Sequence, residues 1–126
     1  MKIVALIARI LLGLIFFVFG LNGFLHFIPG QMPSGTAGQF IGALFQSHYV
    51  YVVSALQVVG GVLLLVNRYV PLGLVLLGPV IVNIFLFHLL MERTGLPLAI
   101  VVVILWIIVA LRHRQYLSGI FVAKSS

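Results

Sequence analysis

The chain has 126 residues, of which 63% are hydrophobic and 6% are charged, and its mean hydropathy is +1.35. A soluble domain carries about four times this proportion of charged residues, so this composition excludes an ordinary soluble protein. The net charge of +6 comes from scattered lysines and arginines that form no groove for a phosphate backbone, and there is no cysteine. We therefore predict no nucleic-acid binding and no thiol chemistry.

Residues 3–27 form the first long apolar stretch. A run of about 20 apolar residues is enough to cross the hydrocarbon core of a bilayer. A cleaved signal peptide would need small residues after its apolar part, whereas His26 and Phe27 are bulky. The stretch therefore predicts a retained transmembrane helix.

The next segment combines turn signals with an amphipathic pattern. After Pro33, Thr36 and Gln39 have the spacing of a capping box. Apolar residues then recur on one helical face, at Ala37, Phe40, Ile41, Leu44 and Phe45. We predict a short helix over residues 36–47 that lies flat on the outer ends of the other helices. It is either an interfacial connector or a lid over an outward-facing pocket, and the sequence leaves both open.

Three further apolar stretches follow, and we predict helices over residues 48–67, 70–91 and 96–112. Gly60 and Gly61 predict a close approach of a neighbouring helix. Pro79 predicts a bend in the third long helix, because proline cannot donate to the carbonyl four residues earlier. The fold class is thus all-α: residues 1–126 form a single transmembrane domain, an integral membrane four-helix bundle with the short amphipathic helix in the outer loop between helices 1 and 2.

Lysine and arginine are distributed unevenly among the connections. Most lie at the start of the first helix, between the second and third, or at and after the end of the fourth, at Lys2, Arg9, Arg68, Arg112, Arg114 and Lys124. The positive-inside rule then predicts a multi-pass protein with both termini in the cytoplasm.

Polar residues within the apolar stretches are the candidate site. Asn22, Gln57 and Asn83 are predicted to face the bundle interior, because an unpaired amide in hydrocarbon costs several kcal/mol, on the order of 4–8 on the cyclohexane scale. They either form a hydrogen-bonded clamp between helices or contact a ligand. His26 and His88 lie at the outer helix ends and are grouped with these amides. We predict no metal site, since the histidines lack close ligand spacing.

Arg9 lies about two turns inside the first helix, and the sequence offers no acid at that depth. Its side chain either extends to the cytoplasmic headgroups or bonds the C-terminal carbonyls of the second or fourth helix. We assign it a helix-end contact on the cytoplasmic side.

Two segments carry a family resemblance. The run from Ala8 to Phe24, with Phe19-Gly20-Leu21-Asn22-Gly23, and the run from Leu56 to Leu65, with Gln57 and Gly60-Gly61, resemble the DoxX-like membrane proteins. The resemblance implies a four-helix protein of the bacterial inner membrane. The family takes its name from association with a thiosulfate:quinone oxidoreductase, and most members have no assigned activity.

This chain departs from the family at two positions. Many members carry lysine where Gly23 stands and glutamate where Gln57 stands, so here the interior is neutral at both. The resemblance supplies no catalytic residues, and we predict none. We expect a membrane partner or small-ligand-binding accessory protein of the lipid bilayer. A quinone-linked redox subunit is the first alternative, with quinone as its candidate cofactor, and a small-solute carrier is the second. The sequence is compatible with a protein partner or a homo-oligomer.

Overall fold

The computed structural model describes residues 2–25, 34–91 and 93–121, and its regular elements are all helical. The bounds of the elements are α1 Lys2–Leu25, α2 Gly35–Gln46, α3 Tyr49–Leu65, α4 Val70–Leu90, the 3-10 turn Arg93–Gly95, α5 Leu96–Arg112, α6 Arg114–Leu117 and the 3-10 turn Ser118–Phe121. This confirms the predicted all-α membrane helical bundle.

The four long helices pack in a ring. Helix α1 lies against α3 and α5, and α4 also lies against α3 and α5. The side chains that are fully enclosed at the centre of this ring are Leu12, Phe16, Leu64, Leu74, Leu77 and Val109. Large apolar side chains also cover the outside of the helices, as expected where the surroundings are lipid rather than water.

Three helical segments are long and apolar enough to cross a bilayer: Lys2–Leu25, Val70–Leu90 and Arg93–Arg112. Helix α3 has 17 residues and is long enough to count as a membrane span only when α2 is included with it. The two helices are joined at an angle of 86°. When α3 runs across the membrane, α2 therefore lies nearly parallel to the membrane surface. His48 makes the corner, with a left-handed φ of 64°.

Helix α2 covers the end of the bundle opposite the N-terminus of α1. Ala37 is buried, and the ring of Phe40 lies 5.5 Å from that of Phe87 on α4. The helix begins at Gly35 after the N-cap Ser34, which makes no side-chain capping bond. Thr36 is therefore inside the first turn, and the predicted capping box is wrong. Gly35 takes a left-handed φ of 69°, which allows the chain to turn into the helix before Thr36.

Helices α1 and α3 approach each other at backbone distance. A Cβ atom at Gly61 would lie 2.7 Å from the amide nitrogen of Phe17 and 2.8 Å from the carbonyl oxygen of Gly13. The adjacent Gly60 faces α4 instead, where a Cβ atom would lie 2.6 Å from Cγ of Leu77. The two glycines thus give α3 a close neighbour on each of two sides.

Candidate functional site

The end of the bundle where α1 begins and α5 ends, called the basic end below, contains a cleft of about 350 Å³. Its polar lining is supplied by Lys2, Arg9, Asn67, Arg112 and His113. Apolar side chains at the start of α1 complete it. The cleft therefore combines positive charge with an apolar wall.

Arg9 is half-buried in this cleft. Its Nη1 donates a hydrogen bond to the carbonyl oxygen of Leu64, in the last turn of α3. The carbonyls in the last turn of a helix lack intrahelical donors, and the helix dipole makes them attractive to a cation. The arginine side chain thus reaches the end of a neighbouring helix.

Of the predicted polar cluster, Asn22 and Gln57 are half-buried, whereas Asn83 is exposed on the outside of α4. The amide nitrogen of Asn83 donates to the carbonyl oxygen of Pro79, 2.9 Å away in the same helix. Among the described residues, no hydrogen bond joins Gln57 to Asn83. The depth of Asn83 predicted an interior position, but bonding back to its own helix lets an amide face outward.

Gln57 points towards α1, since its Cβ lies 3.0 Å from the place that a Cβ at Gly20 would occupy. Asn22 precedes Gly23, and a Cβ at Gly23 would lie 2.8 Å from that of Ser54. Ser54 is buried and lies three residues before Gln57. Ser54 and Gln57 of α3 therefore both lie along α1.

The histidines at the opposite end have local partners. His88 is half-buried, with Nδ1 2.9 Å from the carbonyl oxygen of Ile84, and its ring fills the space beside Gly95. His48 is exposed and stacks on Tyr51 at a centroid distance of 5.8 Å. His26 lies outside the described residues. Within the described part, which excludes both His26 and Glu92, no three potential ligands are grouped for a metal ion.

A second opening was not predicted from the sequence. It is a groove of about 380 Å³ between α4 and α5, and its lining includes Gly78, Val82, Phe85, Leu86, Trp106 and Ile107. Trp106 lies beside Gly78, and its Nε1 donates to the carbonyl oxygen of Leu74 at 3.0 Å. That bond fixes the indole as the floor of the groove. The sole tryptophan of the chain and the Gly78-Pro79 pair were the available sequence signals.

The comparisons with known proteins gave one result. The DoxX family model matches residues 4–89, which begin in α1 and end in the last turn of α4. This chain belongs to the DoxX family. The match confirms the resemblance seen in the two sequence segments. No curated protein and no solved structure matches the chain.

The contacts in this DoxX protein explain the two departures from the family resemblance together. At Gly23, a Cβ would meet the Ser54 side chain, with its oxygen only 1.8 Å away. A lysine at position 23 therefore requires Ser54 to move and the two helices to separate. Without that cation, a neutral residue such as Gln57 is the less costly choice at mid-helix.

Proposed function

We propose that this DoxX protein is a non-catalytic accessory protein that holds a transmembrane helix of a partner protein in the groove between α4 and α5. The observation that carries the proposal is the apolar groove itself, which has a small residue, Gly78, and a fixed floor at Trp106. Helices associate in lipid where small residues allow close packing.

The side chains along the groove are suited to packing against a second helix. The lining residues on α4 run from Gly78 to Leu86, about two helical turns. Val82, Leu86 and Ile107 are exposed at its edges and available to interlock with the side chains of a second helix. An apolar stripe on a partner helix matches this shape.

The chemistry of the groove gives less support to the quinone alternative. A quinone ring carries carbonyl oxygens, and leaving them without donors in an apolar setting is costly. The groove lining is almost entirely apolar, and the indole N–H of Trp106 is already bonded to Leu74. The carrier alternative has less support, because four short helices, two of them in backbone contact at Gly13 and Gly61, leave little room for alternating access.

A photoreactive amino acid in the groove tests the proposal. When the photoreactive residue replaces Val82 or Ile107, we expect it to crosslink in native membranes to one membrane protein, at one site on that protein. The matched controls are Val59 and Leu14, which are also exposed and apolar but lie on α3 and α1. Filling the groove by Gly78→Phe should abolish the adduct. Equal capture from control positions, or adducts with lipid alone, would contradict the proposal, and an adduct between two copies of this chain would replace it with self-association.

We further propose that the basic end faces the cytoplasm of a bacterial cell, with the inner membrane as the location. Lys2, Arg9, Arg68, Arg112 and Arg114 lie at this end, whereas Arg93 is the one cation among the described residues at the other. The positive-inside rule supports this orientation.

An enzyme reporter that is active only outside the cytoplasm measures this orientation. Fused after the final residue, it should stay silent. Inserted after Gln46, at the corner between α2 and α3, it should be active. The reverse pattern would show the opposite orientation, and two active fusions would show a different number of crossings.

A further inference from the structure

We propose that the cleft at the basic end is a binding site for a phosphate group, held by Arg9, Lys2 and Arg112. The phosphate belongs either to the headgroup of an anionic lipid or to free inorganic phosphate. This site is separate from the groove between α4 and α5, and the inference does not rest on the proposed partner.

The first argument is charge. Lys2 and Arg9 from α1 and Arg112 from α5 line one cleft, and like charges that share a cleft repel each other. The sequence contains one acid, Glu92, which follows Met91 after the far end of α4. No carboxylate side chain of the described residues neutralises the three cations. A bound anion would do so.

The second argument is the hydrogen-bonding capacity of Arg9. A guanidinium has five N–H donors in a planar fork, and among the described residues the carbonyl of Leu64 is its one acceptor. The cleft borders the same side chain. A phosphate there can accept two parallel bonds from arginine, a geometry that a hydrated ammonium cannot provide.

The third argument is the mixed character of the walls. Asn67 adds an amide, and His113 adds a ring whose Nδ1 lies 3.0 Å from the carbonyl oxygen of Val109. Ile3 and Leu6 form apolar sides and are themselves largely exposed. The phosphate of an anionic lipid would contact the basic side chains and its acyl chains would contact the apolar sides. Basic pockets between membrane helices bind lipid headgroups in this way.

Binding to the purified full chain in a neutral detergent tests the proposal. The probes are phosphatidylglycerol, zwitterionic phosphatidylcholine and inorganic phosphate, and the readouts are the retained lipid per chain by native mass spectrometry and the shift in unfolding temperature. We expect phosphatidylglycerol to bind near one per chain and at least tenfold more tightly than phosphatidylcholine, with weaker binding at high salt. Inorganic phosphate that competes at millimolar concentration would identify the free anion as a ligand of the same site.

The variants locate the site. Arg112→Gln removes an exposed cation with no hydrogen bond among the described residues, and it should weaken phosphatidylglycerol binding at least fivefold. Arg9→Gln should weaken it further but also loses the bond to Leu64. The control Arg93→Gln removes a similar exposed arginine at the other end, whose Nε donates to Leu89, and should change binding less than twofold. Equal losses of phosphatidylglycerol binding for Arg93→Gln and Arg112→Gln would overturn the proposal. So would equal binding of phosphatidylglycerol and phosphatidylcholine together with no competition by inorganic phosphate.

Discussion

Gly61→Ala is expected to lower the stability of the protein in detergent by about 1–3 kcal/mol, the range measured for overpacked interiors. The added methyl would lie 2.7 Å from the nitrogen of Phe17 and 2.8 Å from the oxygen of Gly13. Both are backbone atoms, which cannot rotate out of the way as a side chain can. The α1–α3 contact must therefore open, and close packing is what holds helices together in lipid.

Gly42→Ala is the matched control for this change. Gly42 is also inside a helix, α2, but a Cβ there would meet nothing within 4 Å. Alanine is favoured over glycine in a helix by about 1 kcal/mol, so this variant should be neutral or slightly more stable. Urea or thermal unfolding of the two variants side by side measures the difference. An equal response at both positions would show that α1 and α3 do not touch as described.

Gln57→Glu is expected to have the other large effect. A carboxylate near the middle of a membrane helix costs about 2.5–3.5 kcal/mol on translocon-insertion scales. Gln57 is half-buried and turned towards α1, and the nearest arginine along that interface, Arg9, bonds Leu64, two turns further along α3. We expect a clear loss of folded protein at neutral pH.

The control for Gln57→Glu is Gln39→Glu, the same change at an exposed position of α2. This control should have an unfolding temperature within about a degree of that of the unsubstituted protein, since exposed substitutions usually change stability by less than about 0.5 kcal/mol. Adding Gly23→Lys to Gln57→Glu should not rescue stability by itself, because Ser54 occupies the space beside Gly23. Rescue should need Ser54→Gly as well. A Gln57→Glu variant as stable as the Gln39→Glu control would place position 57 in water.

The fold class could be predicted because it depends on one-dimensional properties of the sequence. Apolar runs long enough to cross a bilayer, separated by turn residues, restrict the chain to a helical bundle. The role of glycine was predictable only in part. Gly60-Gly61 indicates a close approach, but two adjacent residues on a helix point about 100° apart, so each one meets a different neighbour.

The candidate site was less predictable because it depends on rotation about the helix axes. Asn83 was predicted to face inward because of its depth, yet the carbonyl of Pro79 gives its amide a local partner. The groove was missed for a related reason. Trp106 lies 32 residues after Leu74, and nothing in the sequence pairs the indole with that particular carbonyl.

The corner at His48 has a consequence for the surrounding lipid. Helix α3 has 17 residues and measures about 25 Å, whereas a hydrocarbon core is about 30 Å thick. Helix α1, with 24 residues, is longer than that core, so two neighbouring helices are mismatched to the bilayer in opposite directions. Turned by 86°, α2 lies across the end of α3 and supplies about 5 Å of apolar cover, roughly its own radius. The right-angled corner thus spares the bilayer from thinning around α3.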